Sequence, residues 1–289
     1  MEEKECLMLE KYVNLSRYPL HEPKGIAWRD TVENIRADLA SGGSSVLHRF
    51  VRDDIITRLQ TEGEAIASKA YYKPETVNAY NLPLDALLPN DHPAKIVMQR
   101  GNAFVARDLV PDDHVIHQLY NSEAVLKFIA ACFELDDLHR LADPLAGLCL
   151  NVLKPGCSHP WHFDINEFTV SMLTKKPDAG GMFDYCPNIR SPENENSDPV
   201  RDVMTGHGEQ LIQHLELQPG DLQMFKGRYA LHQVSPVEGE TERHTAIFAY
   251  TPTPGVIGTV ERTKQLFGRA LPAHETAEQN KVRADALLD

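Results

Sequence analysis

Three residues stand out for the chemistry their side chains can do together: His162, Asp164 and His232. On a strand, side chains two positions apart point to the same face, so His162 and Asp164 would present an imidazole and a carboxylate side by side. A second, distant imidazole completes the two-histidine, one-carboxylate face of an octahedral Fe(II), with the opposite positions left open. A His-x-Asp/Glu triplet alone is weak. About two are expected by chance at this composition, and three occur: His162/Asp164, His207/Glu209 and His214/Glu216. Separation chooses among them. His232 follows His162 by 70 residues, room for the strands that must intervene before a sheet returns to the same pocket, whereas His207 and His214 leave only 25 and 18. Eleven residues past His232, Arg243 opens an apolar stretch with Thr245 two further on. A guanidinium fork beside a hydroxyl suits a fixed carboxylate. His244, between them, would face the other side of the sheet and is read as structural.

The elements that must position these groups fall into two textures. Residues 1–28 are punctuated by proline and charge and read as a surface arm. Asp30 with Glu33 reads as a capping box opening a helix that carries Val32, Ile35 and Leu39 and ends at Gly42. A second helix is expected over about 53–69, with Ile55, Ile56, Leu59 and Ile66 on one side. A short strand is expected at Ile96-Val97-Met98, and a third helix after Ser122 with Val125, Phe128, Ile129 and Cys132 at helical spacing. From about Leu148, short apolar runs alternate with turn signals: 148–153, 168–173, 182–185, 211–217, 222–225, 231–234 and 245–251. Strands at that density predict an antiparallel sandwich or barrel. The polar stretch 187–207 reads as a long surface loop or lid. A short helix is expected near 260–267.

Composition narrows the function. The 289-residue chain has a formal net charge of −13 and a pI near 5.4, with no compensating basic stripe, which disfavours nucleic acid as a partner. Its five cysteines (Cys6, Cys132, Cys149, Cys157 and Cys186) are odd in number and form no C-x-x-C pair. That fits reduced thiols in a cytoplasm, with Cys157 and Cys186 as apolar filler. The acidic start lacks an apolar signal core, and no run approaches the roughly 18 residues of a membrane span. A cytoplasmic location, no membrane and a small-molecule substrate are expected, with a homodimer left open.

His162-Phe163-Asp164, His232 and Arg243-His244-Thr245 together resemble the motif set of the Fe(II)/2-oxoglutarate-dependent dioxygenase superfamily, over roughly 145–252. The resemblance implies a double-stranded β-helix core, jelly-roll or cupin-like, in a mainly β fold with flanking helices. It also implies Fe(II), 2-oxoglutarate as cosubstrate, and O₂. Arg243 and Thr245 would hold the distal carboxylate of 2-oxoglutarate, and Asn151 is similar to an asparagine that some members use as a further contact. More narrowly, Ala142-Asp143-Pro144-Leu145, Trp161-His162-Phe163, Gly180 to Tyr185 and Ile189-Arg190-Ser191 resemble the BesD-type free amino-acid halogenases and their hydroxylase relatives. In those halogenases a small residue replaces the metal carboxylate and chloride takes its position. Asp164 departs from that pattern and implies hydroxylation.

By the same resemblance, Arg100 and His159 fall near positions that grip a substrate carboxylate. For Arg100 a plain ion pair is the alternative. For His159 and Trp161, placed in a proline-containing turn, substrate contact and packing stand side by side.

The expected organisation is one domain over 1–289, with a mostly helical part at 1–140, the catalytic core at 145–255, and a helix and tail at 256–289. The expected reaction is hydroxylation of an unactivated C–H bond of a free amino acid or related metabolite. The alternatives are an oxygenase tailoring a larger natural-product scaffold and a cupin-like metal-binding protein without oxygenase activity. An oxygenase acting on proteins or nucleic acids would need a basic or extended groove, and the sequence signals none.

Overall fold

A computed structural model describes residues 3–277. In chain order the elements that matter are α1 (Glu3–Tyr12), α2 (Ile26–Gly42), β1 (Ser44–Leu47), α3 (Ile56–Ala67), β2 (Asn102–Val105), α4 (Val115–Asn121), α5 (Glu123–Cys132), β3 (Leu148–Leu153), β4 (His159–His162), β5 (Thr169–Lys175), β6 (Phe183–Cys186), α6 (Ser197–Met204), β7 (Gln213–Leu215), β8 (Leu222–Phe225), β9 (Leu231–Val234), β10 (Arg243–Phe248), α7 (Val260–Phe267) and α8 (Pro272–Ala277). Six strands form one antiparallel sheet in the order β1-β8-β5-β10-β3-β2, and four form a second in the order β7-β6-β9-β4. Two antiparallel sheets with helices on one side are the expected double-stranded β-helix core.

Period-two alternation explains the layering. On β3 and β10, Leu148, Leu150, Val152, Ala246 and Phe248 join Leu39, Leu59, Phe128 and Ile129 of the helices in one apolar cluster. The residues between them, Asn151, Leu153, Arg243 and Thr245, turn to the opposite face. There Leu153 and Leu173 meet Phe183, Tyr185 and Val234 of the second sheet. The functional candidates therefore sit between the sheets. No helix among the described residues is long and apolar enough to cross a membrane.

Several elements depart from expectation. The N-terminal arm is helix α1, and Leu9, Tyr12, Val13 and Leu20 are buried in the main core. Helix α2 starts at Ile26, not at Asp30, with Gly25 as its N-cap, so Asp30 and Glu33 form no capping box; Gly43 caps its C-terminus at φ +67°. The 53–69 helix begins as a 3₁₀ turn, Asp53–Ile55, before α3. The short strand lies at Met98–Arg100, paired with Glu75–Val77. Within 187–207 lies α6, which buries Val200 and Val203 against Tyr80 and Phe163; the segment is packed structure, not a free loop. Helices α5 and α7 fall where spacing put them, Ser122 capping α5 by accepting from Val125 N at 3.1 Å. The tail expected after α8 lies outside the described residues from 278 on.

Candidate active site

Strands β9 and β4 pair so that His232 faces His162, with ring centroids 4.1 Å apart. Each imidazole Nδ1–H donates to the carbonyl two residues before it, Pro160 for His162 and Ala230 for His232, both at 2.8 Å. That fixes the tautomer and leaves each Nε2 lone pair free for a ligand. Asp164 lies just beyond the end of β4, so its place is not set by strand alternation as the spacing suggested. Its backbone N–H donates to Gly227 O at 3.2 Å, and Oδ1 stands 3.7 Å from His162 Nε2 and 3.5 Å from His232 Nε2. The three ligand atoms lie within 4.8 Å of one another, the one group of this kind among the described residues. Burial pushes His162 down to about 3, helped by His232. Burial alone would raise Asp164, but the neighbouring imidazoles and the Thr169 hydroxyl outweigh it and hold it below the usual carboxylate range. A neutral His162 beside an ionised Asp164 is the protonation pattern that a divalent cation needs. The donor set fits Fe(II).

On the facing wall, Arg243 is 4% exposed. Its guanidinium donates to Thr245 Oγ1, and no acidic side chain among the described residues pairs with it. Burial lowers it to about 10. It reaches the interior past Gly181, where a Cβ would lie 2.9 Å from Arg243 Cδ and where φ is +60°. Across the β10–β3 pair Thr245 lies opposite Asn151, whose buried Oδ1 has no hydrogen-bond partner. Diagonal to Asn151 on the same face, opposite Leu153, is Asn102 of β2, buried with both amide atoms unpartnered. Asn102 was not found from sequence, because an asparagine before an apolar run carries no spacing signal. Buried amide atoms without partners and a buried cation without an acidic partner are costly alone, and a polar ligand or water would satisfy them.

His159 stacks on His162 with centroids 3.7 Å apart. It lies on β4, not in a turn, and burial, then its cationic and imidazole neighbours, hold it well below the usual imidazole range. Arg100 is buried in an ion pair with Glu75, within electrostatic reach of His159. Trp161 is not brought to the triad. It packs with Tyr80, Phe163 and Val200 on the far face of the second sheet, so the packing role is the one it fills here. His244 faces α3, where a Cβ at Gly63 would lie 3.3 Å from its Nδ1. Arg262 likewise carries no signal in the sequence. It projects from α7, which packs on β2, and its Nη1 donates to Gln265 Oε1. Burial lowers it to about 10, with Arg100 adding to the effect while Asp164 and Glu75 oppose it. An arginine one turn into a capped helix has no motif around it, and only the packing of α7 brings it toward the metal face.

The fold resembles that of AviO1 from Streptomyces viridochromogenes Tue57 (TM-score 0.51, 14% identity, covering 78% of this chain and 96% of that one). It also resembles the non-haem α-ketoglutarate-dependent carbocyclase SnoK from nogalamycin biosynthesis (0.51, 13%, 75% and 83%). The epimerase SnoN in complex with Fe³⁺, α-ketoglutarate and nogalamycin RO is similar to the same degree (0.52, 12%, 77% and 84%). No curated protein matches the chain. The model of the family described as Halogenase D matches residues 28–256. With the jelly-roll core and the His162–Asp164–His232 cluster already in place, that match makes the chain a member of the Halogenase D family.

Proposed function

We propose that this protein is a hydroxylase of a small molecule, a free amino acid or related metabolite, using Fe(II), 2-oxoglutarate and O₂. The observation that carries it is Arg243: a buried guanidinium without an acidic partner, beside Thr245, which lies opposite Asn151 with its unpartnered Oδ1. A cupin-like protein that only stored metal would gain nothing from that costly cation.

In this reading His162, Asp164 and His232 hold the metal. Arg243 and Thr245 hold the distal carboxylate of 2-oxoglutarate, with Asn151 and Asn102 as further hydrogen-bonding groups. When bound, the metal and cosubstrate supply the oxidising chemistry that activates O₂ and attacks a C–H bond. The chain's own part is to orient and to exclude water. The Nδ1 bonds of both histidines fix their rings, and Phe225, edge-on to His232 at 5.0 Å, with Phe183 supplies a dry wall. His159, Arg100 and Arg262 converge beside the triad as the anion-binding end of the substrate site. Glu75 compensates Arg100, which leaves Arg262 as the cation for a substrate carboxylate. Asp164 supports hydroxylation within a family described as halogenases, because the carboxylate fills the position a halide would take.

The test is succinate release across a panel of free amino acids with Fe(II) and 2-oxoglutarate supplied, followed by mass analysis of the product. Amino-acid-dependent succinate with a gain of one oxygen is expected. No amino acid raising succinate above background would remove the substrate class.

A further inference from the structure

The two oxygens of Asp164 are treated differently by their surroundings. Oδ1 faces both histidine Nε2 atoms. Oδ2 turns away and accepts a hydrogen bond from Thr169 Oγ1 at 2.5 Å. Behind it stands Gly227, in the turn between β8 and β9. A Cβ on Gly227 would lie 2.1 Å from Asp164 Oδ2, 2.8 Å from Cγ and 2.9 Å from Thr169 Oγ1. Contacts that short are impossible, so only a residue without a side chain leaves this niche open. Gly227 is not among the residues of positive φ, which makes its role one of space and not of backbone conformation. Thr169 opens β5 opposite Phe225 of β8, so the strand pairing fixes the hydroxyl and the glycine relative to each other.

We propose that Thr169 and Gly227 are positioning residues that hold Asp164 as a one-oxygen metal ligand and so commit this site to a bound carboxylate in the position a halide would need. The proposal rests on the triad reading given above. A carboxylate with one oxygen donated to and walled in cannot swing to chelate with both. With Fe(II) bound, the protein would supply three donor atoms, which would leave three sites for the cosubstrate and O₂. A two-oxygen Asp164 would take one of these. The hydroxyl also restrains the carboxylate against rotating off the metal, the part that hydrogen-bonded partners of ligands play generally.

The test uses Co(II) on the full-length protein, with affinity and the d–d absorption spectrum as readouts independent of turnover. Wild type is expected to bind Co(II), with binding abolished in His162→Ala. Thr169→Val keeps the shape but removes the hydroxyl and should weaken affinity by about tenfold to a hundredfold with a changed spectrum, while Thr169→Ser should restore both. Gly227→Ala, which pushes the carboxylate out, should weaken affinity at least as much. In an Asp164→Ala background neither Thr169→Val nor Gly227→Ala should cost anything more, because the group they act through is gone. Wild-type affinity and spectrum in Thr169→Val, or an equal loss with and without Asp164, would overturn the positioning proposal and leave the triad intact. Co(II) binding unchanged in His162→Ala would overturn the triad and the proposal together.

Discussion

His162 and His232 are cross-strand partners, one on each of two neighbouring antiparallel strands, and both spend their Nδ1–H on a carbonyl 2.8 Å away. Register thus sets their separation, and the local bond sets which nitrogen is free. Replacing either by alanine removes one of three ligands. Loss of succinate production by more than about a hundredfold is expected, beyond what removing an outer-shell partner costs. Near-normal turnover in either variant with iron supplied would show that the metal lies elsewhere.

Arg243 lies buried on the wall facing that pair. Arg243→Ala should raise the KM for 2-oxoglutarate steeply, since truncating one partner of a buried charge pair costs about 2–5 kcal/mol. Arg243→Lys should recover part of the loss, because a point charge replaces a fork that grips two oxygens. An unchanged KM for 2-oxoglutarate in the alanine variant would separate Arg243 from the cosubstrate.

What the sequence revealed and what it hid follow from periodicity. Val125, Phe128, Ile129 and Cys132 repeat at helical spacing, and all four are buried on α5. The alternation of Arg243, His244 and Thr245 separates a site face from a core face, as burial against α3 bears out for His244. Helix α6 escaped because polar residues surround Val200 and Val203, its two buried residues, and the composition reads as loop. Helix α1 was readable in the spacing of Leu9, Tyr12 and Val13, but nearby prolines and charges obscured it. Asn102 and Arg262 were not legible, since each matters only through what the fold packs against it. Asp164 was identified by its spacing to His162, yet it sits beyond the strand and is held by Thr169 and Gly227, partners remote enough in sequence to give no pattern.

The capping serine of α5 has a second task. Ser122 Oγ accepts from Val125 N and donates to Glu5 of α1, whose carboxylate also accepts from Ala124 N at 3.0 Å. Ser122→Ala should lower stability by about 0.5–2 kcal/mol, the usual cost of an N-cap, measured by urea denaturation. The midpoint should fall with the slope unchanged. A loss under a few tenths of a kcal/mol would mean that the Glu5 carboxylate caps the helix alone.

Arg262 offers a separation of substrate from cosubstrate. It has no acidic partner within ion-pair distance among the described residues, and its burial is tolerable when an anion joins it. Arg262→Gln should raise the KM for the amino acid by about tenfold or more, the worth of a charge-assisted hydrogen bond, with the KM for 2-oxoglutarate held. Equal shifts in both constants would point to a collapsed pocket, and no shift would place the substrate carboxylate elsewhere.

Asp164 puts the proposed hydroxylation to a direct test. Within a family described as halogenases, this chain keeps a carboxylate whose one oxygen faces the two imidazoles and whose other is fixed by Thr169. A halide would have to displace a half-buried carboxylate that the neighbouring imidazoles and the Thr169 hydroxyl hold in its ionised form. In chloride buffer the wild-type enzyme should therefore yield hydroxylated product and no chlorinated product. Asp164→Gly removes the carboxylate and leaves His162 and His232 in place. That opens room for chloride against the Thr169 hydroxyl, but chlorination also requires the substrate radical to lie nearer halide than hydroxide, which the proposed hydroxylase pocket would not arrange. The expected outcome is mostly lost turnover with at most a trace of chlorination. Mass spectrometry of the wild-type product reads the answer directly, and a dominant chlorine isotope pattern would overturn the assignment of hydroxylation.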